Sequence, residues 1–132
     1  AGVSENELVI ANAGDSRAVM GVVRQGSVEG EETVCAVPLC KDHRPMDPIE
    51  HARIEAAGGI VVQRRGIARV MGVLAVARAI GDAQLKPYVS ADPDVTVVPR
   101  AEETWFVILA TDGLWDVVSS QEAVELVLER ML

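Results

Sequence analysis

The chain has 132 residues, of which 49% are hydrophobic and 24% are charged, a composition typical of a folded globular chain rather than a disordered one. Its formal net charge of −8 argues against general affinity for nucleic acid, which depends on clustered Lys and Arg side chains. No apolar run approaches the roughly 20 residues of a membrane-spanning helix, so no membrane segment is predicted.

The start of the chain and its cysteines bear on where the protein works. No signal peptide is visible, and the absence of an initiator Met indicates a piece of a longer chain. Cys35 and Cys40 are the only cysteines, and their closeness in one short segment favours two reduced thiols over a disulfide. We therefore expect an intracellular protein, cytoplasmic or nuclear.

The N-terminal third is predicted to be β-structure. The segment "ELVIANAGDSRAVMGVV" indicates a hairpin, with apolar strands over residues 8–11 and 18–23 joined by the turn cluster "NAGDS". A polar loop over residues 24–32 comes next, followed by a strand at "TVCAV".

A helix is predicted after "KDHRPMD". Asp47 is its cap, Pro48 suits the first turn, and Glu50 completes a capping box. Gly58 and Gly59 supply the stop. Four positions are expected to line one side at helical spacing: Ile49, Ala52, Arg53 and Ala56.

The rest of the chain continues with mixed elements. "IVVQ" indicates a strand, and residues 66–87 indicate a strand, a partly buried irregular stretch and a loop. "DVTVV" is a short strand, and "WFVILA" is predicted to be a central strand buried on both faces. Ser119 and Glu122 form a capping box for a helix from about Gln121 to Leu132. Because strands do not alternate with helices, the fold class is α+β with mainly antiparallel sheet, in one domain over residues 1–132.

An acidic pair follows the most apolar strand, in "ATDGLWDV". Asp112 and Asp116 stand where the strand must surface, Gly113 lets a ligand approach the backbone closely, and Trp115 would anchor the turn in the core. Asp15 in "AGDSR" is a third carboxylate at a strand tip. Hard cations such as Mg²⁺ and Mn²⁺ take oxygen ligands, so these three Asp residues are candidates for a metal site.

Structural roles compete with these functional ones. Asp-Gly is a common turn dipeptide, and Asp15 with Ser16 can cap a tight turn, so spacing alone favours turns over ligands. His43 is a possible acid or base, although a lone His beside an Asp in a loop is more often structural. For Asp82 in "AIGDAQ" a ligand role is weaker still. Three arginines could meet a phosphate, although most arginines are exposed or ion-paired: Arg17, Arg69 and Arg78.

Five blocks in order resemble the type 2C metal-dependent serine/threonine protein phosphatases, most of all those of plants. The blocks are "VIANAGDSRAVM", "KDHRPMDPIEHARIEAAGG", "RVMGVLAVARAIGD", "LKPYV" and "FVILATDGLWDVVSSQEAV", which together extend over nearly the whole chain. The resemblance implies a β-sandwich of two antiparallel sheets flanked by helices. It also implies hydrolysis of phosphoserine and phosphothreonine in phosphoproteins by water activated between Mg²⁺ or Mn²⁺ ions, two or three in the complete domain.

The resemblance also implies roles for individual residues. Asp112 matches a direct ligand of the binuclear metal centre, and Asp116 and Asp15 match residues that help to hold a weaker third metal. Arg78 and Asp82 match the block that shapes the cleft, and Gly113 belongs to the same cleft. No residue of this chain is assigned to the catalytic step itself.

This sequence departs from the family pattern in several places. Ala77 stands where a serine is usual, and Arg64 stands where the plant members that bind abscisic-acid receptors carry a Trp, which argues against that partnership. The family's D-G-H-G stretch, its upstream phosphate-binding Arg and its late D-N pair do not occur in these 132 residues. The chain therefore resembles the middle and later part of the catalytic domain. Two functions remain open: a protein phosphatase represented by part of its site, and a non-catalytic phosphatase-like binding or regulatory module.

Overall fold

The computed structural model describes residues 1–3, 6–25, 32–100 and 104–131, and its chain forms two compact units. The first unit comprises Ala1–Ala11, Ser16–Lys41 and Val95–Leu132, and the second comprises Asn12–Asp15 and Asp42–Asp94. Most of the predicted polar loop at residues 24–32 lies outside the described residues.

The described strands and helices occur in groups along the chain rather than in regular alternation. The strands are β1 (Gly2–Val3), β2 (Glu7–Asn12), β3 (Arg17–Gln25), β4 (Glu32–Pro38), β5 (Val61–Arg64), β6 (Ile67–Val70), β7 (Asp94–Pro99) and β8 (Thr104–Ala110). The helices are α1 (Pro48–Ala56), the single turn α2 (Asp112–Trp115) and α3 (Ser120–Met131), with a 3₁₀ turn at Ala83–Leu85. No helix in the described ranges is long and apolar enough to cross a membrane.

Two three-stranded sheets stack in the first unit, with strand orders β1-β2-β7 and β4-β3-β8. Leu8 and Ile10 of β2 are buried against Ala18 and Met20 of β3, so the sheets meet through side chains. The alternation of buried and exposed positions along β2 is the pattern of a strand with one face in a core. Stacked antiparallel sheets with helices confirm the predicted α+β class.

The predicted hairpin over residues 8–23 is wrong in its pairing. Both strands and the turn exist, but β2 pairs with β1, whereas β3 lies between β4 and β8. The turn "NAGDS" thus passes the chain from one sheet to the other. The local pattern identifies the strands, but the hydrogen-bond partners of each strand come from distant parts of the chain.

The prediction for "WFVILA" is confirmed as a strand and wrong in its position. In the described part of its sheet β8 is an edge strand beside β3, and Leu109 is 61% exposed. The helical side of this sheet buries Val19 with Trp115, Ala123 and Val124. The apolar run therefore predicted the strand correctly. It did not predict the position of β8 in the sheet, because that position depends on how the other strands pair.

Helix α1, in the second unit, is capped as predicted but presents a different face. Asp47 Oδ1 accepts hydrogen bonds from the N–H groups of Ile49 (3.0 Å) and Glu50 (3.5 Å). The buried residues of the helix are Glu50 and Ile54, whereas Ile49 is 68% exposed, so the predicted apolar side is wrong. Ile54 instead joins Val70, Ala77 and Val89 in the core of this unit.

The second half of the predicted capping box is also wrong. The N–H of Asp47 donates to Arg44 O (3.0 Å), and the Glu50 carboxylate turns away to accept from Arg53 and Arg78. Two guanidinium groups are stronger partners for a carboxylate than one backbone amide, because their hydrogen bonds are charge-assisted. The box predicted at Ser119 and Glu122 forms in full.

Candidate functional site

Asp112 and Asp116 lie at the two ends of one exposed helical turn directly after β8. Asp112 is the first residue of α2, Asp116 is its C-cap, and both residues are exposed. The N–H of Asp116 donates to the carbonyl oxygen of Asp112 (2.8 Å), so one turn of backbone fixes their separation. The strand end and the turn place the two carboxylates on a single solvent-facing segment.

Trp115 anchors this turn, as predicted from the sequence. Its side chain is buried, and its indole Nε1–H donates to the carbonyl oxygen of Ala110, the last residue of β8 (2.8 Å). The guanidinium of Arg17 lies 5.4 Å from the ring centroid and donates to Ser120 Oγ (3.3 Å). With Trp115 held in the core, Asp112 and Asp116 remain at the surface.

Gly113 sits between these residues on the exposed side of α2. Among the described residues, a side chain at this position would meet only Thr111 Oγ1, at 3.7 Å, so this part of the chain leaves the space beside Gly113 open. This openness is compatible with the close approach of a ligand to the backbone.

Asp15 follows a turn that His43 holds in place, in the second unit. Gly14 is buried with φ +132°, its N–H donates to His43 Nδ1 (3.2 Å), and its carbonyl accepts from the N–H of His43 (2.9 Å). Because Nδ1 accepts a hydrogen bond from the Gly14 N–H, the ring proton lies on Nε2, which donates to Asp94 Oδ2 (2.9 Å). His43 is buried, and its contacts with Gly14 and Asp94 are those of a structural residue rather than of an acid or base.

Arg78 belongs to a network of four charged side chains in the second unit. Its Nε donates to Glu50 Oε1 (2.9 Å) and its Nη1 donates to Asp94 Oδ1 (2.7 Å). Arg53 donates to Glu50 Oε2 through Nε (3.1 Å) and Nη2 (3.0 Å). We call Glu50, Arg53, Arg78 and Asp94 the arginine–carboxylate network.

The ionisation of this network follows from its contacts. Burial by itself raises the pKa of Glu50, but the hydrogen bonds and charges of Arg78 and Arg53 outweigh it and hold the pKa below its usual value. The hydrogen bond from His43, together with Arg78, lowers the pKa of Asp94. The hydrogen bond to Glu50 raises the pKa of Arg78, despite partial burial. The network therefore carries its full charges at neutral pH.

Asp82 precedes the 3₁₀ turn in the second unit. It is exposed and adopts a left-handed backbone (φ 49°), which Asp tolerates better than most residues. Its carbonyl accepts from the N–H of Leu85 (2.9 Å), as expected for a residue that starts a tight turn.

The predicted site residues divide between the two units. Asp112, Gly113 and Asp116 share one turn of the first unit, and Asp15, Arg78 and Asp82 belong to the second. Carboxylate oxygens suit Mg²⁺ and Mn²⁺, so the acidic pair fits these ions in kind. Among the described residues, no group of three His, Cys, Asp or Glu side chains is placed to hold a metal ion.

Sequence reasoning missed the buried carboxylate of Glu50 and the role of Asp94. Glu50 stands where a capping box predicts a Glu, and this local explanation concealed its contact with Arg78, 28 positions away. A Glu on the buried side of a helix, followed three residues later by Arg, was the available indication.

We expect Glu50→Gln to lower the free energy of unfolding by about 1–3 kcal/mol, because the substitution leaves two partly buried guanidinium groups facing a neutral amide. Since folding lowers the pKa of Glu50, its contribution exists above the unfolded value of 4.5 and disappears as the pH falls through the folded value. Denaturant unfolding between pH 7 and pH 3 should therefore show a smaller loss with acid in Glu50→Gln. Glu55→Gln, at an exposed position of the same helix, is the control; equal effects would contradict this account.

The fold is that of an α+β protein, in which antiparallel sheets stack and helices cover one face. Its site is an acidic turn with exposed carboxylates, which follows a strand at the edge of a sheet. A family model described as "Protein phosphatase 2C" matches residues 1–132. The chain belongs to the protein phosphatase 2C family. Proteins of this family are protein serine/threonine phosphatases that act on phosphoproteins and depend on Mg²⁺ or Mn²⁺.

Similar proteins support this membership. Protein phosphatase 2C 3 of Arabidopsis thaliana is 51% identical over 125 residues, which are 95% of this chain and 26% of that protein. Probable protein phosphatase 2C 49 of Oryza sativa is 52% identical, over 95% of this chain and 27% of that protein. The crystal structure of a serine-threonine phosphatase 2C from Toxoplasma gondii matches with a TM-score of 0.82 and 31% identity, over 96% of this chain and 44% of that one. The chain thus spans about a quarter of the length of these curated relatives.

Proposed function

We propose that this chain is part of the catalytic domain of a metal-dependent protein serine/threonine phosphatase that hydrolyses phosphoserine and phosphothreonine. The observation that carries the proposal is the exposed turn after β8, which bears Asp112 and Asp116 in a chain of the protein phosphatase 2C family. Free thiols at Cys35 and Cys40 are compatible with a cytoplasmic or nuclear location, which we also propose.

Asp112 is proposed as a direct metal ligand, with Asp116 and Asp15 contributing to a further ion. When bound, divalent ions of this kind lower the pKa of the attacking water and screen the charge of the phosphoryl group. The contribution of this chain is to hold the carboxylates in position: Trp115 ties the acidic turn to β8, and His43 ties the backbone before Asp15.

Arg78 and Asp82 are proposed to shape the substrate cleft rather than to take part in the reaction. The guanidinium of Arg78 is occupied by Glu50 and Asp94, which favours a role in fixing the segment around it. Asp82 is exposed at a tight turn, so its side chain can face the cleft without being needed in the core. Gly113 is proposed to leave room for substrate above the acidic turn.

The proposal is tested by phosphate release from a phosphothreonine peptide, with the full-length protein and with residues 1–132 alone, each in millimolar Mn²⁺. We expect turnover by the full-length protein and none by the segment, because residues 1–132 lack the D-G-H-G stretch of the family. A two-metal centre needs a bridging ligand that holds its ions about 3.5–4 Å apart.

Each other outcome contradicts a specific part of the proposal. A full-length protein that binds the phosphopeptide but releases no phosphate would be a non-catalytic phosphatase-like module. Comparable turnover by the segment would mean that its own carboxylates suffice for the metal centre.

A further inference from the structure

The hairpin β5–β6, over residues 61–70, carries three arginines on ten residues, and we call it the arginine hairpin. Arg64 stands opposite Ile67 in the register, and Arg69 stands opposite Val62. Side chains at these four positions share one face of the hairpin, because facing residues and alternate residues point the same way. The other face, with Val61 and Val70, packs on the core of the second unit.

The outward face is concave and accessible. A cavity of about 570 Å³ is lined by Arg64, Arg65, Ile67 and Arg69. Ile67 is 49% exposed, so an apolar surface lies among the guanidinium groups. Arg69 donates to the carbonyl oxygen of Val73 (2.8 Å), which holds its side chain along the hairpin.

Charge is distributed unevenly along the chain. Residues 56–81 contain four Arg and no Asp or Glu, whereas the whole chain has 20 acidic residues and a net charge of −8. Arg78 is neutralised by the arginine–carboxylate network. Within the described residues, by contrast, no hydrogen bond or ion pair engages the side chains of Arg64 and Arg65.

The tip of the hairpin is not explained by turn chemistry. Arg65 and Gly66 form a two-residue loop with φ values of +51° and +80°. Such loops favour Asn-Gly or Asp-Gly, because a larger L-residue is strained in the left-handed region. Arg65 thus adopts a backbone conformation that Arg disfavours. Because the turn itself does not need a charged residue there, the charge of Arg65 calls for another explanation.

We propose that the arginine hairpin is a docking surface for an acidic segment of the phosphoprotein substrate, outside the phosphorylated residue itself. The guanidinium groups would pair with Asp or Glu carboxylates, and Ile67 would contact an apolar side chain between them. This inference rests on the proposed phosphatase function. Nucleic acid fits less well, because a long polyanion would also meet the negative charge of the rest of the chain.

The test uses the full-length protein and two phosphothreonine peptides, one with a run of Glu and one with Gln at the same positions. The variant is Arg64→Gln combined with Arg65→Asn, because Asn-Gly is the preferred sequence for this turn and folding is preserved. We expect the KM for the acidic peptide to rise about three- to tenfold, since each exposed ion pair contributes little. The kcat for both peptides and the turnover of p-nitrophenyl phosphate should not change.

Two further measurements separate docking from other effects. Arg24→Gln removes a charge from an exposed position of β3 in the other unit and should leave the KM unchanged. Raising the ionic strength should weaken the preference of the wild type for the acidic peptide more than that of the variant, which retains only Arg69, because salt screens exposed charges.

The possible failures are distinguishable. A wild type that hydrolyses p-nitrophenyl phosphate but shows the same KM for both peptides overturns the docking surface and leaves the phosphatase function intact. An equal rise in KM in the Arg24→Gln control would also overturn it, because the effect would then be one of net charge. A full-length protein without turnover of either substrate contradicts the phosphatase function itself.

Discussion

Asp112→Asn is expected to reduce Mn²⁺-dependent hydrolysis of a phosphothreonine peptide at least about a hundredfold, the scale seen when one electrostatic stabiliser is removed from an active site. Asn preserves the shape of the side chain and the exposed turn but removes the negative charge that a divalent cation requires. The measurement is the steady-state turnover of the full-length protein across a Mn²⁺ titration. Half-saturation should move to higher Mn²⁺ concentration in the variant.

Glu129→Gln makes the matched change in charge at an exposed position of α3 in the same unit, and it should leave both turnover and Mn²⁺ dependence unaltered. A thermal melt of both variants checks that the fold is intact, and Asp112 is exposed, so little change in melting temperature is expected. Near-normal turnover in Asp112→Asn would reject the role of this residue as a ligand.

Local features of the fold could be predicted from the sequence because their causes lie within a few residues. The cap at Asp47 and the capping box at Ser119 and Glu122 each depend on contacts over two or three positions. The same holds for Trp115, whose indole reaches back five residues to β8. Short-range geometry of this kind is almost independent of the rest of the chain.

Features that depend on distant partners could not be predicted in the same way. The assignment of β2 and β3 to different sheets results from pairing with β1, β4, β7 and β8, which no local pattern specifies. The exposure of Leu109 on β8 follows from the same pairing. The local pattern of apolar residues predicts which segments form strands, whereas the order of the strands in each sheet depends on the packing of the whole chain.

The residues of the candidate site also differ in whether their contacts are local or distant in sequence. The strand end at Asp112 is visible in the sequence, because an apolar run stops at "TDG". The arginine–carboxylate network is not, since Glu50, Arg78 and Asp94 meet across 28 and 16 positions. The resemblance to a family implied a role for Arg78, and the structure adds the partners that hold it.

Trp115→Ala is expected to lower the free energy of unfolding by about 3–5 kcal/mol, the usual cost of truncating a buried aromatic side chain. The substitution would leave a cavity beside Val19, Ala123 and Val124 and would leave Ala110 O without its indole partner. Denaturant unfolding of the full-length protein, followed by far-ultraviolet circular dichroism, gives the change directly.

Trp115→Phe separates the two contributions of this side chain. Phe retains most of the apolar contact and loses only the hydrogen bond to Ala110 O, so a smaller loss of about 0.5–1.5 kcal/mol is expected. Val117→Ala, at a position that is 78% exposed two residues further on, should change the stability by less than about 0.5 kcal/mol.

If Trp115→Ala were as mild as Val117→Ala, the indole would not brace the acidic turn, and the position of Asp112 and Asp116 would need another cause. If Trp115→Ala lowered stability while Trp115→Phe kept both stability and Mn²⁺ affinity, packing alone would hold the two carboxylates in place.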